Sequence, residues 1–283
     1  MLRGIYSAAS GMLANQRRSE ALTNNLANLN ANGYKADETL FRSFPEHMIS
    51  EIHRIQQPAA PGVAPTGPNG ISATPIRTLS NGVYTHEMIP NFRQGDLFET
   101  GNPLDLAIHD DNLVPVEIDG KEWKPRLFFA IQRDGETSYT RNGNFTLDAG
   151  NRLVTGNGSF VLDANGEIIT LPSDEFSVDA KGNLIDADRN IIPLGLIQVN
   201  DPNQLVKTEN GAFRWQGEGD PQPADREQPG FSLHQGFVER SNVDPQQTMI
   251  EMMETVRLFE LNQKTLTAYN QTLDKLYDST RLG

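Results

Sequence analysis

Between Val243 and Leu282 the apolar positions return at alternating steps of three and four residues. The stripe runs through Met249, Met252, Val256, Phe259, Gln263, Leu266, Asn270, Leu273 and Tyr277. Such spacing predicts one long helix whose edge is the seam of a coiled coil. A helix of about thirty residues reaches roughly 45 Å at 1.5 Å per residue, so this one is expected to dock outside its own compact body. Asp244 or Ser241, with Pro245 after it, supplies the helix start. A second stripe lies at the other end of the chain: Leu2, Ile5, Ala8, Met12, Leu22, Leu26 and Leu29, broken at Asn15 and Ser19. Gly33 after Asn32 is its stop signal.

The pattern between the two stripes is different. Residues 37–54 read as a second helical piece limited by Pro45, with Leu40, Phe41, Phe44, Met48, Ile49 and Ile52 apolar. Residues 57–73 are rich in Pro and Gly and read as a linker or extended arm. From Thr74 onward the period shortens to that of strands. Phe145-Thr-Leu-Asp-Ala, Phe160-Val-Leu-Asp-Ala and Phe176-Ser-Val-Asp-Ala recur, each followed by Gly or Asn and another apolar run. This is a strand, a tight turn and a returning strand, repeated. The fold class expected is therefore α+β: paired, coiled-coil-like terminal helices and a central antiparallel all-β domain. The boundaries expected are 1–56 with 240–283 for the helical domain, 57–73 for the linker and 74–239 for the β-rich domain.

Charge narrows the partners. The 283 residues carry a formal net charge of -13, which argues against nucleic acid, whose phosphates need clustered Lys and Arg. No Cys is present, so disulfides, thiolate nucleophiles and Cys-ligated zinc are excluded. No run of about eighteen apolar residues predicts membrane insertion. The first residues do not resemble a cleavable secretory leader, and any export is expected to use a route without signal cleavage.

The sequence predicts no site of chemistry: catalytic, metal and cofactor-binding residues are all expected to be absent. Asp148, Asp163, Asp179, Asp186 and Asp188 invite a calcium reading, but their spacing matches turn chemistry, in which Asp binds backbone two residues on. His86-Glu87 lacks the second His of a zinc motif. His109-Asp110-Asp111 reads as a solvated loop cluster, since no nucleophile is near in sequence. A pair of carboxylates suited to glycoside hydrolysis depends on three-dimensional separation. A secreted β-rich glycan-binding or hydrolytic protein, dimerising through its helices, is thus the alternative function. The amides of Asn24, Asn25 and Asn28 either lie on a solvated helix end or meet specific partners in a crowded helical packing.

Several stretches resemble one family. Ser10-Gly-Met-Leu-Ala-Asn-Gln and Leu22-Thr-Asn-Asn-Leu-Ala-Asn-Leu-Asn-Ala-Asn-Gly-Tyr-Lys are similar to the opening signature of bacterial flagellar rod and hook proteins. Phe92-Arg-Gln-Gly-Asp-Leu-Phe-Glu-Thr-Gly-Asn-Pro-Leu-Asp-Leu-Ala-Ile and Tyr139-Thr-Arg-Asn-Gly-Asn-Phe resemble its internal motifs. Gly236-Phe-Val-Glu-Arg-Ser-Asn-Val-Asp resembles its closing one. The likeness is greatest to the distal rod type or a paralogous hook-basal-body member. The chain departs from the pattern in a longer segment from His109 to Arg126.

The resemblance implies a structural axial subunit of the flagellar basal body, serving motility and polymerised helically. Its implied partners are copies of itself, other rod and hook proteins and the flagellar type III export apparatus, with an extracytoplasmic location after export. The implied assembly interface is Leu2, Ile5, Met12, Leu22, Asn25, Leu26, Leu29, Met249, Met252, Val256, Phe259, Gln263, Leu266, Asn270 and Leu273. On the seam, Gln263 and Asn270 are expected to set register at a cost in stability.

Overall fold

The computed structural model describes residues 2–43, 47–54, 71–79, 82–118, 120–172, 176–186, 189–208, 211–217, 219, 221–226 and 230–281. Two helices flank a central set of antiparallel strands: α1 spans Leu2–Ala27 and α2 spans Pro245–Arg281. The chain divides into two compact units. One comprises Met1–Leu22, Thr39–Met88 and Ile250–Gly283, the other Thr23–Glu38 and Ile89–Met249.

The second unit is built around the strand Arg126–Arg133, which pairs with Glu136–Thr140, Phe160–Val161 and Leu196–Val199 inside a nine-stranded antiparallel sheet. Its side chains alternate between two cores. Leu127, Phe129 and Ile131 join Leu106, Phe145 and Leu194 on one face, while Phe128 and Ala130 join Phe92, Val199 and Phe213 on the other. Burial on both faces explains why this stretch is continuously apolar. The repeated turns form as the sequence predicts. Asp148 Oδ1 accepts from the N–H groups of Gly150 and Arg152, at 2.8 and 2.9 Å, and Asp163 Oδ1 accepts from those of Asn165 and Glu167, both at 2.8 Å. Asp186 closes a further turn by accepting from Asn190 N–H at 2.8 Å.

The first unit holds the outer parts of both helices and four strands: β1 (Asp37–Ser43), β2 (His47–Arg54), β3 (Ile71–Leu79) and β4 (Val83–Pro90). Here the helical reading of 37–54 is corrected. β1 pairs with β4, and β2 pairs antiparallel with β3 from His47 opposite Leu79 to Arg54 opposite Ile71. The partners that satisfy these backbone groups lie tens of residues downstream, beyond the reach of local periodicity. The proposed linker lies mostly outside the described residues, and Ile71–Ala73, at its end, form part of β3.

α1 and α2 run antiparallel within this unit. A Cβ on Gly4 would stand 2.4 Å from Tyr269 Cζ, one on Gly11 2.9 Å from Asn262 Nδ2, and Arg18 meets Glu251 at 3.2 Å. At the start of α2, Asp244 rather than Ser241 is the cap: its Oδ1 accepts from Gln246 and Gln247 N–H groups at 2.9 and 3.2 Å.

Candidate functional site

Four of the five stretches that carry the family likeness, far apart in sequence, meet in one buried charge network in the second unit. Glu239, 1% exposed, is its hub. Its Oε1 accepts from Lys35 Nζ at 2.6 Å and Gly95 N–H at 2.9 Å, and its Oε2 accepts from Arg141 Nε at 2.7 Å. Arg141 also donates to Asp110 Oδ2 at 2.7 Å and to the Leu127 carbonyl at 2.8 Å. Asp110 in turn holds Arg126 at 2.7 Å and accepts from Leu127 N–H at 3.0 Å. Lys35, Arg141 and Arg126 are thus matched by Glu239, Asp110 and the half-exposed Asp111, which lies 3.3 Å from Arg126.

The burial that penalises each charge is overcome for the carboxylates by their neighbours. Burial opposes ionisation of Glu239, but Arg141 and Lys35 outweigh it and hold the carboxyl below its usual range. Burial likewise opposes ionisation of Asp110, and Arg141 with Arg126 outweighs it. Lys35 goes the other way: burial, reinforced by the nearby Arg141 charge, brings its ammonium down to about 8 despite Glu239.

Backbone contacts complete the junction. Gly33 N–H donates to the Glu239 carbonyl at 2.7 Å. Asn242 accepts from Ala36 N–H at 2.8 Å and donates to the carbonyls of Asn91 and Arg93 at 2.7 and 2.9 Å. Gly143 lies so close to the Leu106 carbonyl oxygen that a Cβ would stand 1.6 Å from it, which leaves only glycine for that position. The Asn25 amide is also used inside the chain. Its Oδ1 accepts from Asp37 N–H at 2.8 Å and Tyr34 Oη at 3.2 Å, and its Nδ2 donates to the Asp37 carbonyl at 3.0 Å.

Sequence reasoning missed this network and placed Asp110 in solvent; the side chain is 0% exposed, so that reading is corrected. The available signal was charge embedded in apolar or Gly-rich motifs: Lys35 after Asn-Gly-Tyr, Arg141 before Asn-Gly, Glu239 after Phe-Val.

The residues assigned to the assembly interface divide into several groups. Leu22 and Asn25 are buried, and Ile5, Met12, Leu26 and Leu29 are half-buried; Leu2 opens α1. On α2, Met252, Phe259, Leu266 and Leu273 are half-buried, whereas Met249, Val256, Gln263 and Asn270 are exposed. The α1-facing positions Asn262 and Tyr269 lie one residue before Gln263 and Asn270, so the intrachain seam is shifted by one residue from the expected stripe. Alongside, Tyr6, Leu13, Met253, Leu258 and Leu261 are exposed as well.

Three family models match the chain. Residues 5–35 match a flagella basal body rod protein model, 126–188 a flagellar hook protein FlgE/F/G D1 domain, and 234–278 a flagellar basal body rod FlgEFG protein C-terminal domain. Among similar curated proteins, the flagellar hook-basal body complex protein FlhO of Bacillus subtilis is 36% identical, with 97% of each chain covered. The flagellar basal-body rod protein FlgG of the same organism is 30% identical over 99% of this chain and 100% of its own length. The flagellar hook-basal body complex protein FlhP of B. subtilis is 27% identical over 96% of this chain and 97% of its own.

Proposed function

Because the chain belongs to the flagellar basal-body rod and hook protein family, we propose that it is an axial subunit that polymerises through its terminal helices. The family is structural rather than enzymatic, which sets the hydrolase alternative aside, and membership implies assembly with other axial flagellar proteins. In the proposed reading the chain reaches an extracytoplasmic position through the flagellar export apparatus.

The observation that carries the helical part is the set of large apolar side chains left exposed on α1 and α2 outside their mutual contact. Met253, Val256, Leu258 and Leu261 are each about half exposed or more, as are Tyr6 and Leu13 on α1. Fully burying such a side chain stabilises by about 1.5–3 kcal/mol, so several covered together supply ample energy for association. Gln263 and Asn270 lie exposed on α2 as well, where a neighbour's helix gives their amides specific partners.

The test is the double substitution Met253→Glu with Val256→Glu. Both positions face solvent, so monomer stability should change by no more than about 0.5 kcal/mol per site. Incorporation into basal bodies and swimming should nevertheless be lost. Normal incorporation of a well-folded double variant overturns helix-mediated polymerisation.

A further inference from the structure

Two features of the second unit remain outside this account: a polar cleft and the segment in which the chain departs from the family pattern. The cleft holds about 740 Å³ and is lined by seventeen described residues, five of them Asn and five Ser or Thr. None is Asp or Glu, in a chain with 37 such residues. Lys207 at its wall is already paired with Asp37 at 2.9 Å. Among the described residues, the carboxylate nearest Arg133 is that of the exposed Asp134, at a long 3.7 Å, and the half-exposed guanidinium can take a stronger acid partner. Amides and hydroxyls both donate and accept, which suits a polypeptide backbone. The one aromatic ring, Tyr34, is buried beneath Lys207 Nζ at 3.9 Å and offers no platform for stacking a sugar or a base.

The departing segment carries a small hairpin, Val116–Ile118 paired with Lys121–Trp123. Glu117 and Glu122 are exposed and stand directly opposite each other across it. Like charges in that position destabilise a strand pair, and a lone two-stranded hairpin is marginal in water. Among the described residues no third strand pairs with it. The hairpin leads directly into the strand Arg126–Arg133, at whose far end Arg133 enters the cleft. Seven steps of a strand separate the two ends by roughly 24 Å. A hairpin bearing two exposed glutamates and a cleft with no acid in its lining, at opposite ends of one strand, suit a head-to-tail, open-ended contact.

We propose that the Val116–Trp123 hairpin of one copy docks into the Arg133 cleft of the next, with Glu117 and Glu122 meeting Arg133 and the amide and hydroxyl lining. This contact rests on the axial-subunit reading and adds to it a β-domain interface distinct from the helices. The absence of native Cys makes a clean test possible. The full chain bearing Glu122→Cys and Ser138→Cys is oxidised in purified basal bodies and run without reductant. A ladder of covalent multimers is expected, with neither single variant giving one. Adding Glu117→Lys should lower the ladder about tenfold, equivalent to about 1.4 kcal/mol of contact energy, and adding Arg133→Glu to that should restore it. If the double-Cys chain enters basal bodies but stays monomeric on the gel, the hairpin contact is wrong while the helical reading stands. A ladder indifferent to Glu117→Lys overturns the charge recognition. Failure of the unaltered chain to enter basal bodies overturns both.

Discussion

Glu239→Gln removes one charge from the buried network while keeping the side chain's shape. Arg141 retains Asp110 at 2.7 Å, but Lys35 keeps only the Arg93 carbonyl at 2.9 Å and the amide oxygen of the new residue. Breaking a buried pair by removing one partner costs about 3–5 kcal/mol, and the surviving Asp110 contact places this substitution near 3. That is a large share of the roughly 5–15 kcal/mol by which native domains are stable. Part of the loss depends on pH. Glu239 raises the Lys35 value, so without it the folded ammonium ionises only below the wild-type value of about 8. The unfolded chain still binds that proton, up to the ordinary lysine value of 10.5. Stability therefore rises with pH from about 8 to 10.5 in the wild type and from a lower starting point in the variant. The gap between them should narrow as pH climbs to 8 and stay constant above it. Both tryptophans, Trp123 and Trp215, lie in the second unit, so urea unfolding followed by their fluorescence reports this unit alone. A loss below about 1 kcal/mol at pH 7, or a gap as wide at pH 9 as at pH 6, refutes the assignment of Glu239 as the counter-ion that keeps Lys35 charged.

Gly143→Ala should cost more than about 3 kcal/mol, because its Cβ would stand 1.6 Å from the Leu106 carbonyl oxygen, whereas Gly156→Ala, with nothing within 4 Å, should stay within about 0.5 kcal/mol; thermal melts of the two compare them directly. Asn25→Leu strips partners from Asp37 N–H, the Asp37 carbonyl and Tyr34 Oη, and should cost roughly 2–4 kcal/mol by chemical denaturation. Asp110 and Glu239 titrate below their ordinary ranges of 3.8 and 4.5. The stability they contribute is present above those values and lost as pH falls through the lower folded ones. Tryptophan fluorescence during acid titration should therefore show the second unit opening only under strongly acid conditions, and later than in Glu239→Gln.

Much of the β unit was legible because its signals are local. Asp148, Asp163 and Asp186 each bind backbone two or four residues on, so the turn is written in one short stretch. The apolar run Leu127–Ile131 announces a strand buried on both faces. Asp110 was not legible in the same way. Beside His109 and Asp111 it looks like a solvated loop, and its two guanidinium partners arrive from 16 and 31 residues away. Strands β1 and β2 were misread for a related cause. Their apolar residues fit a helical stripe, and the partners that decide otherwise, β4 and β3, lie beyond a Pro- and Gly-rich stretch.

The helix edge shows how a correct period can carry the wrong phase. Met252, Phe259, Leu266 and Leu273 belong to either of two heptad stripes. One is completed by Met249, Val256, Gln263 and Asn270, the other by Thr248, Thr255, Asn262 and Tyr269. Counting apolar residues favours the first, since Met and Val outrank Thr. The protected edge nevertheless follows the second: Thr248 and Thr255 are buried, and Asn262 and Tyr269 are half-buried. The reason lies on the other helix. Gly4 and Gly11, one heptad apart, present no side chain, so Tyr269 and Asn262 can approach the α1 backbone closely. Thr255 can be buried because its hydroxyl donates to the Glu251 carbonyl at 2.7 Å, leaving only its methyl to pack. The residues that distinguish the first phase, Met249, Val256, Gln263 and Asn270, are therefore left exposed. Met249 and Val256 thereby add to the exposed apolar surface on which the proposed helix contact rests.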